Sequence, residues 1–281
     1  MYGTISAAGP AQPSRIDGAH FGPVYELENR SGDRATSFTA ELHREWGSRA
    51  FAQVGYAWSR TEDHMSLLGT SSAILFQNNP IDGSIANRRL RRSNRDTPHN
   101  VVAAAVIPLK FATTASVFFR AHSGAPYAYL VGGDANADGN SSNDLAYVPR
   151  DANDISLTKP EDYASLQSFI ESERCLRSQR GRVMARNSCR NPNVWNLDAR
   201  LAKDFRGLEL SADVFNLPNL LDRDWGLQRQ TTDREGVSLM SVAGWDATAN
   251  RPKYSVTLPA RNVVVPDASR WRIQLGARWL H

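Results

Sequence analysis

The chain has 281 residues, 41% hydrophobic and 22% charged, with a formal net charge of +4, and its mean hydropathy is −0.46. The longest strongly apolar run is Val101 to Leu109, far short of the roughly 20 residues that a membrane helix needs. Helical spans are therefore excluded, but a membrane β-barrel is not, because alternation dilutes the apolar residues of each strand to about half.

Met1 is followed by YGTISAAGPAQPSR, with neither the basic start nor the apolar core of a secretory signal. The expectation is either a cytosolic chain or a piece of a longer exported protein. Residues 1–35 are rich in Gly, Ala, Pro and Ser and read as a partial loop and strand lead-in, with a short strand somewhere in Phe21–Glu28.

Strands are expected from residue 36 onward, because side chains of a strand point alternately to opposite faces. Phe38, Ala40, Leu42 and Trp46 share one face, with Thr39, Glu41, His43 and Glu45 opposite. After a tight turn at Gly47-Ser48, Ala50, Ala52, Val54, Tyr56 and Trp58 continue the apolar face. A second hairpin places Val101, Ala103, Ala105, Ile107 and Leu109 beside Ala115, Val117, Phe119 and Ala121, with its turn near Lys110–Ala112. A third has Trp195, Leu197, Ala199, Leu201 and Phe205, turns at Arg206-Gly207, and returns with Leu208, Leu210, Ala212 and Val214. The last strand, RWRIQLGARWLH from Arg270, puts Trp271, Ile273, Leu275, Ala277 and Trp279 on one parity and Arg272, Gln274, Gly276 and Arg278 on the other. Lipid outside, a polar lumen inside and aromatic girdles at both interfaces have this layout.

The connections alternate short and long. The long ones run from about Arg60 to Asp96, from Ser123 to Asn193, and from Asn216 to the last strand, and all are expected to be loops. Compact soluble domains seldom carry structureless loops beyond about 15 residues, whereas outer-membrane barrels have tight periplasmic turns on one rim and long extracellular loops on the other. Parity also requires the final strand to end at the short-turn rim. The competing arrangement is a soluble antiparallel sandwich with decorated loops.

Four stretches carry a family resemblance: GDANADGNSSNDLAYVPRDANDI from Gly133, SFIESERCLRSQRGRVMARNSCRNPNVWNLDARLAKDF from Ser168, DVFNLPNLLDRDWG from Asp213, and SRWRIQLGARWLH from Ser269. Together they resemble the C-terminal barrel region of Oar-like TonB-dependent outer-membrane receptors, over most of the chain from about Thr36. The resemblance implies an all-β fold: an antiparallel transmembrane β-barrel segment, open, of about seven strands or slightly more, belonging to a barrel of about 22. Residues 36–281 would be the C-terminal part of that barrel, with long extracellular loops. The resemblance further implies an N-terminal plug and a TonB-binding segment, neither visible here. Such barrels usually close on an aromatic residue read by the barrel-assembly machinery; this chain has His281.

Among candidate sites, Asp134, Asn136, Asp138, Gly139 and Asn140 match positions one, three, five, six and seven of a calcium loop, whose alternating oxygens and sharp-turn glycine suit Ca²⁺. The twelfth position is Leu145, not Glu; Asp144 and Asn143 lie near it but out of register, with Asp144 counted among the candidate ligands. The alternative is a loop knit by Asx turns. Cys175 and Cys189 cannot make a zinc site alone and are read as a disulfide in an oxidising compartment. Arg174, Arg177, Arg180, Arg182, Arg186 and Arg190 surround them, and Arg88, Arg89, Arg91, Arg92 and Arg95 form a similar run. With no aromatic residue between the cysteines, nucleic acid is not an expected partner. Both runs are expected to be solvated, with lipopolysaccharide phosphates as the functional alternative. His43 and His122 fall on polar faces, as do Asp198, Arg200, Glu209 and Asp213, expected to line a wet wall. Hydrolase and phosphate-loop motifs are missing, and no catalysis is expected.

The resulting expectation is the C-terminal barrel portion of a TonB-dependent receptor in the bacterial outer membrane, serving energy-coupled uptake of a solute that the sequence does not name. Its partners would be outer-membrane lipid and lipopolysaccharide, the barrel-assembly machinery, and TonB through N-terminal parts; no cofactor is required beyond possible Ca²⁺. The alternative is a secreted or surface calcium-binding adhesion module.

Overall fold

A computed structural model describes residues 20, 28–47, 50–67, 69, 71–82, 88–136 and 138–279, with the backbone of Tyr2–Ile5 and Pro13–Arg15. The strand expected in Phe21–Glu28 falls, Glu28 apart, outside these residues, as does His281. In chain order the main elements are β1 (Arg34–Trp46), β2 (Ala50–Asp63), α1 (Ser72–Asn78), β3 (His99–Leu109), β4 (Thr113–His122), β5 (Pro126–Gly132), α2 (Tyr163–Ser172), β6 (Val194–Phe205), β7 (Leu208–Phe215), β8 (Gly236–Asp246), β9 (Arg251–Val256) and β10 (Arg272–Trp279).

The seven long strands form one antiparallel sheet in the order β10-β7-β6-β4-β3-β2-β1, with Arg91–Arg92 pairing the end of β2. These are the strands the alternation marks, in the hairpin pairs it implies. The turn between β6 and β7 has positive φ at Arg206 (55°) and Gly207 (92°), the mirror-image turn whose twist matches that of two antiparallel strands. Phe111 and Ala112 are also left-handed, at φ 61° and 51°. Among the described residues the sheet stays open, and β1 and β10 each have one unpaired edge.

The long connections are not structureless, which corrects the expectation. Segments from the second and third of them assemble a six-stranded sheet in the order Ser156–Leu157, β9, β8, β5, Cys189–Arg190, with Asp144–Leu145 also paired to β5. The pairing β8–β5 is parallel, as is that of β9 with Ser156–Leu157. β5 is buried along almost its whole length, so it reads as a continuous apolar run rather than an alternating one.

The apolar core lies here, not in the large sheet. Tyr127, Tyr129 and Val131 of β5 pack with Leu239 and Met240 of β8 and with Leu166, Phe169 and Ile170 of α2. Those three α2 residues recur at helical spacing, forming one stripe that faces the sheet. Tyr129 stands edge-on to both Tyr127 and Phe169, ring centroids 5.5 Å apart in each pair. Burying each such aromatic contributes about 1.5–3 kcal/mol, one part of the apolar burial that holds the connections together as a cap. Cys175 and Cys189 are joined by a disulfide with Cα atoms 5.2 Å apart, fastening the turn after α2 to the edge of the cap sheet. At Gly124 the chain leaves β4 beside the returning strand, and a Cβ there would come within 2.2 Å of the Asn191 carbonyl oxygen. Only glycine allows that approach.

Candidate functional site

The register of the large sheet extends one apolar face across all seven strands. Leu42 lies opposite Val54, Val54 opposite Ala103, Ala103 opposite Phe119, Phe119 opposite Leu197, and on the far strands Ala212 lies opposite Leu275. Directly opposed residues of an antiparallel pair share a face, so the apolar parities of separate strands merge. Val54, Ile107, Leu210 and Leu275 all lie on this face, exposed by 46%, 51%, 44% and 79%. Phe38, Trp58, Trp195 and Trp271 mark its edge at the long-connection rim; Trp46, Phe205 and Trp279 mark the tight-turn rim. The eight to ten residues between these aromatics span about 26–33 Å along a strand. With a tilt of about 40° that becomes about 20–25 Å, matching a lipid-facing band of roughly 25 Å.

The opposite face carries ordered charge. Arg200 donates from Nη1 to both carboxylate oxygens of Asp213, each at 3.0 Å, and from Nη2 to Glu209 at 3.2 Å. Arg278 donates to the other oxygen of Glu209 at 3.2 Å. Register produces the network, since Arg200 lies opposite Asp213 and Glu209 opposite Arg278. Asp198 instead accepts the Asn216 backbone N–H at 2.8 Å, bringing the segment after β7 over this face. His43 contacts Glu45 at 3.1 Å, and His122 contacts the Ser123 carbonyl at 3.0 Å. The face is not wholly polar: Val102 and Phe118 also lie on it, 40% and 42% exposed. β3 is thus apolar on both sides, which accounts for the run at Val101–Leu109.

The arginine runs are not simply solvated, a second correction. Arg186 is buried, with its side chain 1% exposed, and pairs with Asp63 at the end of β2. Its Nη1 donates to Ser66 Oγ at 3.2 Å, and its backbone N–H to Asp82 at 3.1 Å. Asp82 also holds Arg91 at 2.6 Å. Arg190 reaches the fully buried Asp96 at 2.7 Å and donates to the Gly124 carbonyl at 2.7 Å, while Arg92 takes the same carboxylate at 3.2 Å. Arg180 pairs with Glu171 at 2.6 Å. A guanidinium can leave water only where carboxylates meet it; for Arg186 and Arg190 these carboxylates come from another connection, whereas Arg91, Arg92 and Arg180 pair within their own. Arg174, Arg177 and Arg182 do remain exposed.

The five proposed calcium ligands share one loop. Asp134 accepts the N–H groups of Asp138 and Gly139 at 3.1 and 2.8 Å; Asn136 accepts that of Asp138 at 2.9 Å, and Asp138 that of Asn140 at 2.8 Å. Asn140 accepts the Ser142 N–H at 3.1 Å, and Asp144 those of Ala135 and Asn136 at 2.6 and 3.2 Å. Burial pushes the Asp144 carboxyl up to about 7, opposed by the Ala135 amide and aided by the charge of Asp138. Among the described residues no three His, Cys, Asp or Glu side chains converge closely enough to hold a metal ion.

A family model described as "Outer membrane beta barrel domain" matches residues 2–222. The chain belongs to the outer membrane beta barrel domain family. No match was found among curated proteins or solved structures. Membership places the chain in the bacterial outer membrane and assigns the faces: the apolar one meets lipid and the charged one the barrel interior. In such a barrel the tight-turn rim is periplasmic and the cap extracellular. The sequence reading had the wall and missed the cap. Its signals were present in Leu166, Phe169 and Ile170 at helical spacing after Pro160-Glu161-Asp162, and in the apolar β5.

Proposed function

We propose that this outer-membrane barrel domain is wall and extracellular cap of a TonB-dependent receptor that imports a solute. The observation that carries the reading is the pairing of a fixed Arg200–Asp213–Glu209–Arg278 network on the interior face, running toward the tight-turn rim, with a folded cap at the opposite, long-connection rim. Charged interior walls also occur in diffusion pores; the folded cap is the part that an open pore does not need. The sequence resemblance to Oar-like receptors supports the coupling to TonB. Energy coupling suits solutes too scarce or too bulky for passive entry, and the cap would make first contact with them. Insertion would use the barrel-assembly machinery, as for other strands that must be paired before they meet lipid.

The test needs no knowledge of the solute. Formaldehyde cross-linking of intact cells should capture the protein, in its natural full-length form, on TonB. Absence of any cross-link in cells holding both proteins at normal levels would sink the TonB reading while leaving the barrel assignment untouched.

A further inference from the structure

The lipid-facing parity of β1 and β2 continues past its aromatic edge and changes character. Phe38 lies opposite Trp58; one pair further out Thr36 lies opposite Arg60, and the next pair is Arg34 opposite Glu62. Arg92 flanks Glu62 on its other side. At about 3.3 Å per residue, Arg60 stands about 7 Å and Arg34 about 13 Å along the strands beyond the Trp58 ring position. With the tilt of about 40° these become about 5 and 10 Å along the membrane normal; since interfacial tryptophans sit at the inner side of a headgroup layer about 5–8 Å thick, the guanidiniums stand at its outer, phosphate-bearing part.

Their geometry is fixed. Arg34 donates from Nε and Nη2 to Glu62 Oε2 at 2.9 and 2.8 Å, and Arg60 donates from Nη2 to Oε1 at 2.6 Å. Glu62 is only 10% exposed, whereas the Arg34 and Arg60 side chains are 64% and 48% exposed. One shielded carboxylate thus holds two open guanidiniums side by side, each with further N–H donors facing outward. Arg34 and Arg60 share the single carboxylate of Glu62, and behind them Arg92 and Arg190 share that of Asp96. Below the cluster the face is apolar at Ala40, Leu42 and Val54, a surface for acyl chains.

We infer that Arg34 and Arg60, spaced by Glu62, bind a phosphate of the lipid A headgroup of lipopolysaccharide, with its acyl chains along the apolar face below. Guanidinium suits this oxyanion because it donates in pairs to phosphate oxygens. The inference rests on the membrane placement and not on the transport reading.

The experiment is native mass spectrometry of the protein purified in detergent from outer membranes, counting retained lipid A. Wild-type protein should keep one molecule, and Arg34→Gln with Arg60→Gln should retain about tenfold less, as loss of charge-assisted contacts predicts. Arg174→Gln with Arg177→Gln, on the exposed cap, should retain it fully. If the double variant fails to fold, Arg34→Gln alone, on an exposed side chain of an outermost strand, should still lower retention about threefold. Retention equal to wild type in whichever variant folds would overturn the site. Displacement of the lipid by millimolar inorganic phosphate would overturn the lipid assignment, showing a site for free phosphate instead. Retention by the cap variant falling as far as in the wall variant would do so too, reducing the effect to general charge.

Discussion

Leu275 and Gln274 are neighbours in sequence and on opposite faces of β10, and Leu275 is 79% exposed in the open sheet. Arginine at a lipid-facing midplane site costs a barrel roughly 2–4 kcal/mol and far less on the interior side. Leu275→Arg should therefore destabilise the domain strongly and Gln274→Arg weakly, as read by denaturant titration in bilayers; equal effects would show that the faces are misassigned. A larger effect is expected at Asp63. Removing one partner of a buried pair costs about 3–5 kcal/mol because the other charge stays behind, so Asp63→Asn should leave Arg186 uncompensated and open the Met184–Asn191 segment to protease.

At the scale of elements, legibility divides along the kind of pairing involved. β1, β2, β3, β4, β6, β7 and β10 were legible because each is long, keeps an apolar parity on one face, and is joined to its partner by a tight turn or held to the same parity. The cap was not. β5 pairs with β8, more than a hundred positions later, and in parallel; nothing local announces such a contact, and a strand buried on both faces loses the alternation that betrays the others. The arginine runs failed for the same reason. Arg186 looks like one more loop charge until Asp63 and Asp82, from another connection, are brought to it. The acidic loop stands between these cases: its spacing was legible, and its oxygens are engaged with backbone amides. Calcium remains the ion that the spacing suits. Because the loop must exchange amide contacts for the ion, binding should be no tighter than about 10⁻⁴–10⁻³ M, the range of weak extracellular sites. Calorimetry should show heat at millimolar Ca²⁺ that disappears in Asp138→Ala. No heat in the unaltered protein would leave Asp134–Asp144 as a loop held by Asx turns alone.

At the scale of the whole molecule, two surfaces have opposite requirements. The cap buries its own core and is built for water. The large sheet has no such core: β1 is exposed along its whole length, and Trp46, Leu42, Leu275 and Trp279 lie open on the outer face. Its two outer strands also present unpaired backbone groups among the described residues. In lipid each unsatisfied group costs several kcal/mol, so an open sheet should not insert stably without further strands to complete the ring. In water the same edges and the apolar face invite edge-to-edge pairing. The seven strands and cap, expressed as the 281-residue chain, should therefore aggregate in buffer. They should become dispersed only in detergent or when neighbouring barrel strands are supplied. Light scattering in buffer, in detergent, and after co-expression with such strands would measure this. A monodisperse monomer in plain buffer, unfolding in one cooperative step, would contradict the lipid-facing assignment, because the exposed apolar face could not be held in water without a partner.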